Sequence, residues 1–542
     1  MKKVFDYQFG FVLVGALLLL AFSALTSQAQ ITRGTISGTV RDENGAVVPG
    51  AQVTITSTTS SLTKRDATTD EQGFYRVGAL DPGSYNVLVE KDGFARLENR
   101  NVVVKSAGEV TFDAALKTGS LTATVDVTSQ SEAITLDKTS PTLGLTATSR
   151  QAVDLPLGPA RDVNNLALLA PNAFSAPGST GISVNGQRAR NDNFSIDGSD
   201  NNDISVTLAT VPVVPEAVQE FRLQTNPYSV EFGRNSGAQI DVITKSGGNA
   251  FHGEGFEYYR GSALNSLDNI EKQSGLTRPA RFNRNQFGGD IGGPVKLPHD
   301  TDRTFFFYLF EADRTRTGAS LGPTIRIPTM AGFTALSTVP LRPGQSAASR
   351  AGVLNSLSFL SGIYGTNPAF RSLTNTTVNG VAIQTGLTNI PANQPTNILN
   401  HTLRIDHKLT KNDTLTFRYI TNRPDNVAQI SNTQFGTLFA GDQVIDDNNF
   451  AVSETHVFSP RLLNEFRFSY VRRNLQFPEN DPKTPSTAIT GFFSIGRTDE
   501  FPPGARTERL SVFRYGHSPA GPSCIQVWCR CAPHSVVQSG GF

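Results

Sequence analysis

The chain has 542 residues, enough for several domains at about 150 residues each, and its 48 Lys and Arg against 47 Asp and Glu leave a net charge of +1. That balance excludes a nucleic-acid binder, which needs a basic surplus to displace counterions. A hydrophobic content of 38% and a mean hydropathy of −0.22 match an ordinary soluble protein without excluding a membrane barrel, whose strands alternate apolar and polar residues and average out.

The N-terminus reads as a secretory leader. Lys2 and Lys3 give a positive end, an apolar run follows from Phe11 to Phe22, and Ser27-Gln28-Ala29 supplies small residues for cleavage after Ala29. The apolar run is shorter than the ~20 residues of a spanning helix, which weighs against an uncleaved anchor. No later segment is long and apolar enough for such a helix, so entry into a membrane would be by strands. Cys524, Cys529 and Cys531 all lie near the C-terminal end, and no disulfide framework is expected.

Residues 30–119 alternate strands with turns. Asp42-Glu43-Asn44-Gly45, Pro49-Gly50, Asp70-Glu71-Gln72-Gly73 and Pro82-Gly83 separate runs such as Tyr85, Val87 and Val89, which share one face at period two. About seven short strands at this spacing predict a β-sandwich. The pattern Asp42, Gly45, Pro49-Gly50-Ala51, Val53, then Thr69-Asp70, Gly73, Tyr75 and Leu80, Pro82-Gly83, Tyr85 resembles the carboxypeptidase regulatory-like domain. The resemblance implies a transthyretin-like sandwich of the carbohydrate-binding-like group, not a zinc-bearing catalytic domain. None of the seven histidines lies in the sandwich, and none forms an H-E-x-x-H pair. The sequence therefore predicts no catalytic residue, no metal site and no cofactor.

From 120 to 248 the rhythm changes. Thr122 to Val127 is a short strand. A helix is predicted over Arg161 to Ala170, with Asp162 at its positive end and Pro171 as its stop. Two strands end in Asn185-Gly186 and Asp197-Gly198. Pro215 takes a good first helical position before Glu216 to Phe221, and Ile240, Val242 and Thr244 alternate before Lys245-Ser246-Gly247-Gly248. The stretches VNGQRARNDNFSIDGSDNND, VPEAVQEFRLQTNPYSVEFGRNSGAQIDVITKSGGN and FHGEGFEYYR resemble the plug and first barrel strand of TonB-dependent receptors, in particular the Oar-like branch. The resemblance implies an α+β plug inside a barrel pore and uptake driven by TonB with its inner-membrane complex. It also suggests a charged plug-to-barrel network, for which Arg188, Arg190, Glu231 and Arg234 are the candidates, with ordinary surface charge as the alternative. Asp197, Asp200 and Asp203 form an acidic cluster whose spacing does not fit a calcium loop. The best candidate for a TonB-binding strand is Thr122 to Val127, which would pair with its partner by strand addition.

The stretch 249–513 carries wall strands: His252 to Gly261, Arg281 to Pro294, Thr304 to Phe310, then Leu403/Ile405, Leu415/Phe417, Asn449 to Phe458 and Phe466/Phe468/Tyr470, alternating with polar neighbours. Residues 316–398, rich in Gly, Pro, Ser, Thr and Asn, read as a long extracellular loop without a strong strand. About seven strands cannot close a pore for which the resemblance implies about 22, so a partial antiparallel transmembrane barrel is expected. Residues 514–542, which hold every Cys and Trp528, read as an aberrant tail of a truncated or frameshifted gene.

The sequence thus predicts a mainly β chain: a leader over 1–29, a seven-stranded sandwich, a plug and part of a wall. Its predicted function is energised uptake of a bulky solute, a siderophore, oligosaccharide or peptide, across an outer membrane whose lipid it touches. The alternative is a secreted or outer-membrane-associated carbohydrate- or peptide-binding module without transport. A carboxypeptidase has no zinc constellation to rest on.

Overall fold

The computed structural model describes most of residues 33–529; outside it lie 1–32, 129–143, 226–234, 361–369, 427–443, 477–486, 496–504, 530–542 and shorter stretches between these. The expected leader therefore falls outside the described residues.

The sandwich comprises β1 (Gly34–Asp42), β2 (Gln52–Ser57), β3 (Lys64–Thr68), β4 (Phe74–Leu80), β5 (Gly83–Glu90), β6 (Arg96–Val104), β7 (Glu109–Thr111) and β8 (Ala114–Leu116). β7 and β8 both run parallel to β1 and form one strand broken at Phe112-Asp113, giving the seven strands expected. One sheet has the order β4-β1-β7 and the other β3-β2-β5-β6, the latter extended by β9 (Thr124–Thr128), parallel to β6. The two Asp-x-x-Gly turns share one device. Asp42 accepts the backbone N–H groups of Asn44 and Ala46, and Asp70 those of Gln72 and Phe74. Gly45 and Gly73 then take positive φ, which only Gly adopts freely. Period-two alternation puts Ile36, Val40, Val53, Ile55, Tyr75, Val77, Tyr85, Val87 and Val89 into one buried cluster, each aliphatic side chain stabilising by roughly 1.5–3 kcal/mol.

The stretch expected to be a plug, and called the plug below, is a mixed sheet of β10 (Gly144–Thr148), β13 (Asn193–Ile196), β14 (Ser199–Asp200), β15 (Val218–Gln224) and β16 (Gln239–Thr244), in the order β10-β15-β16-β13-β14. A two-stranded ribbon of β11 (Ala173–Ser175) and β12 (Ile182–Val184) stands beside it, with the short helix α1 (Ser149–Asp154). The predicted helix after Pro159 is instead a 3-10 helix, Val163–Leu169, capped by the Asp162 side chain on the Asn164 N–H. The helix expected from Pro215 is a single 3-10 turn, Pro215–Ala217, before the chain becomes β15. The reason is tertiary: Phe221 and Leu223 are fully buried between two antiparallel neighbours, and pairing on both sides outweighs the local start signal.

The wall is a nine-stranded antiparallel sheet: β17 (His252–Gly261), β18 (Phe282–Pro294), β19 (Thr304–Leu321), then, after an excursion, β23 (Pro391–Lys408), β24 (Asp413–Asn426), β25 (Val444–Ser459), β26 (Leu462–Gln476), β29 (Ala505–Ser518) and β30 (Gly521–Cys529). The first seven are those expected. The expected boundary at 514 falls inside β29, and β30 lies beyond it. The excursion is not strandless as expected. It holds a sheet of β20 (Ile325–Pro328), β22 (Val381–Thr388) and β21 (Arg371–Val378), with α2 (Met330–Thr338) burying Phe333 and Leu336. β27 (Thr487–Ile489) and β28 (Phe493–Ile495) pair in a separate ribbon.

The wall alternates as its sequence does. Arg404, Asp406, Thr416, Arg418, Asn449, Arg467 and Ser469 are buried on one face. On the other, Phe450 stacks edge-on with Phe417 at 5.3 Å and with Phe468 at 6.1 Å between ring centres. β19 differs because both its faces are apolar. Phe305, Phe307 and Leu309 are fully buried on the inner side, where Phe307 and Leu309 join the core cluster of the plug.

Candidate functional site: the plug-to-wall latch

The Ile196-Asp197-Gly198 corner is where plug and wall meet most closely. Asp197 and Gly198 have φ of 47° and 70°, the double positive φ of a tight hairpin turn, which Asp tolerates and Gly favours. The turn joins β13 to β14 and leaves the Asp197 carboxylate free of its own strand. It accepts the Thr244 N–H and hydroxyl, both at 2.8 Å, and Arg418 Nη1 at 2.8 Å. Arg404 Nη1 lies 3.6 Å away.

Four neighbouring wall strands hold this corner. From β23, Arg404 donates to the Thr244 carbonyl at 2.9 Å and pairs with Asp406 at 2.9 Å. From β24, Arg418 donates to the Ile196 carbonyl at 2.6 Å, and its Nη2 donates to Asn449 of β25 at 2.7 Å. From β26, Arg467 donates to the Gly198 carbonyl at 3.2 Å and pairs with Glu465 at 2.7 Å. Three guanidiniums thus meet three carboxylates, Asp197, Asp406 and Glu465, in a buried site where an unpaired charge is costly. Burial opposes the charge on Asp197, but Arg418 and Arg404 outweigh it and hold the carboxyl below its ordinary value.

A second contact joins the plug to the start of the wall. Glu216, 1% exposed, pairs with Arg161 at 2.6 Å and accepts the Tyr258 hydroxyl of β17 at 2.9 Å. The Arg161 guanidinium lies 3.6 Å from the centre of the Tyr258 ring, a cation–π contact.

Of the residues singled out in the sequence for such a network, Arg188 precedes a 3-10 turn, Ala189–Asn191, and Arg190 lies within it, both with exposed side chains. Glu231 and Arg234 lie outside the described residues. The three acidic residues make separate contacts: Asp197 in the latch, Asp200 with the Asn202 N–H, and Asp203 paired with Arg473 of β26. The candidate TonB-binding strand overlaps β9, one edge of which is occupied by β6. Among the described residues, Asp413, Glu454 and His456 gather within 4.8 Å. They sit on the same face as Phe417 and Phe450, and there His456 pairs with Asp413, which also takes the Thr410 hydroxyl.

A family model described as "Outer membrane beta barrel domain" matches residues 243–523, and one described as "Carboxypeptidase regulatory-like domain" matches 35–117. A curated relative, the TonB-dependent transporter Oar of Myxococcus xanthus, is 29% identical over 316 residues, which is 56% of this chain and 28% of the relative. The chain therefore spans under a third of that relative's length. Among solved structures, the siderophore receptor PirA from Acinetobacter baumannii is 13% identical, with a TM-score of 0.41 over 69% of this chain and 45% of that one. The outer membrane transporter YddB from Escherichia coli is also 13% identical, with a TM-score of 0.42 over 72% and 46%. These relatives are transporters and receptors rather than enzymes.

Proposed function

The chain belongs to the outer membrane beta barrel domain family, and on that premise we propose that it serves TonB-dependent, energised uptake of a bulky solute across the outer membrane. The observation that carries this reading is the latch. A plug corner is held by three arginines from the inner face of a wall whose outer face is aromatic. Such a joint can hold the plug corner against the wall at rest and, being built of hydrogen bonds and ion pairs, can be rewired when the plug is pulled. A binding module without transport leaves those arginines without a role. No step of chemistry is required, since the work is supplied by TonB and its inner-membrane complex. The curated relative shares this assignment by name, and a siderophore is one solute class in keeping with PirA; oligosaccharide and peptide are the others.

The test is uptake. Cells displaying the chain in their outer membrane are given labelled ferric siderophore, oligosaccharide or oligopeptide, in strains with and without TonB. Accumulation of one class only where TonB is present is expected. Uptake that ignores TonB, or none of any class, overturns the proposal.

A further inference from the structure

The sandwich does not hang free but is tied at three places: to the plug, to the plug-wall junction and to the wall. At the first, Ser106 is gripped by two plug residues: its N–H donates to Glu220 at 2.9 Å, and its carbonyl accepts from the Arg222 guanidinium. Glu220 and Arg222 are two apart on β15, so both reach the same side of the strand. At the second, Asn249, between plug and wall, makes a reciprocal pair with a sandwich loop. Its N–H donates to the Thr59 carbonyl at 2.9 Å, and its side-chain oxygen accepts the Ser61 N–H at 2.8 Å. At the third, Arg33, 9% exposed and paired with Asp81 at 3.0 Å, donates to Thr455 of β25 on the buried inner face of the wall.

These contacts are polar throughout. The apolar cluster of the sandwich and that of the plug, which also takes in Phe307, Leu309 and Ile420 of the wall, have no residue in common. Plug and wall are therefore joined by a shared core, whereas the sandwich is joined to both by hydrogen bonds and charge. Interfaces of the second kind separate readily, since each hydrogen bond contributes only about 0.5–1.5 kcal/mol net and those to charged groups about 1.5–3.

We propose that the sandwich is a releasable bolt: docked, it ties plug strand β15 to wall strand β25 across the base of the plug, and the plug is free to move only after the bolt lets go. The inference rests on the plug-in-wall reading above and adds its regulation. β9 reinforces it. This strand lies between sandwich and plug in the chain, yet it is paired to the sandwich edge through Arg96–Arg100. A pull applied at β9 therefore loads the bolt before it loads the plug.

The experiment is hydrogen exchange on the full chain in detergent, with Cys524, Cys529 and Cys531 replaced by serine. The double variant Glu220→Ala, Arg222→Ala is expected to speed exchange at least tenfold at Ser106. It does the same at Ser61 and Asn249, which the substitutions do not touch, because the sandwich leaves as one body. Amides within β2 and β5 and within β18 and β19 keep their wild-type rates. Acceleration confined to Ser106 overturns the proposal. A second variant, Thr59→Cys with Asn249→Cys in the same serine-substituted background and with Glu220 and Arg222 intact, covers the case in which the double variant misfolds. Once the disulfide forms, exchange across β15 in intermediate urea is expected to slow at least tenfold relative to the reduced form; equal rates overturn the bolt. Neither readout uses TonB or a solute, so failed uptake and a failed bolt are told apart.

Discussion

At Asp197 the left-handed backbone of a two-residue turn frees a carboxylate to face distant wall arginines, Arg418 among them 221 positions downstream in sequence. The Asp-Gly pair announces the turn, and the parity of Arg404, Arg418 and Arg467 within their strands announces a wet inner face. Nothing local announces that the two meet, since the partners are set by the closure of plug against wall. Arg188 and Arg190 stand exposed on their turn for the same reason: charge and proximity to a motif do not say which way a turn points. Glu220 carries a prediction at this scale. Burial pushes its carboxyl up to about 7, against the opposing effects of the Ser106 N–H, Arg222 and Lys105, with Asp241 adding to the rise. A raised carboxyl pKa means that the docked form holds the proton more tightly than the undocked one. Its contribution is therefore fully present below about 4.5 and is lost as pH rises through about 7. Exchange at Ser106 is expected to quicken between pH 5 and pH 8 by more than the intrinsic pH dependence of amide exchange, and Glu220→Gln flattens the excess. An excess of equal size in Glu220→Gln would contradict this assignment.

Among the elements, those with a strict period were legible. The sandwich strands and the wall strands β23 to β26 follow from alternation, because a strand with one face in a core and the other outside must alternate. What alternation could not show is where a face meets another protein surface instead of water or lipid. In Thr304 to Phe310, Phe307 and Leu309 join the core of the plug and Phe305 is buried on the same inner side, so that stretch is apolar on both sides and reads simply as greasy. The small sheet of β20, β21 and β22 was hidden by its composition of Thr, Asn and Gly, residues that also fill loops. Glycines mark where elements come closest. A Cβ added to Gly38 of β1 would stand 1.8 Å from the Phe112 carbonyl oxygen, with backbone on that side unable to yield. Gly38→Ala is expected to cost about 3 kcal/mol and to lower the sandwich transition by roughly 15 °C. Calorimetry of the full chain checks this, and a shift under about 2 °C would show that the strands separate without strain.

For the whole molecule, three bodies are joined by two kinds of interface. Plug and wall share an apolar core and a buried ionic latch, whereas the sandwich is attached through polar contacts and carries β9 on its edge. This ordering of strengths suits a device that is loaded at one end and must hold at the other. It depends on the wall having lipid on its far side, where Phe417, Phe450 and Phe468 stand in a row across three strands. The most direct measurement is labelling of the chain in isolated outer membranes with a lipid-soluble photoreactive carbene, followed by residue-level mapping. Label is predicted at Phe417, Phe450 and Phe468, with Thr416, Arg418 and Ser469 on the opposite face spared. Equal labelling of both faces, or recovery of the chain as a folded, detergent-free soluble species, would contradict the account.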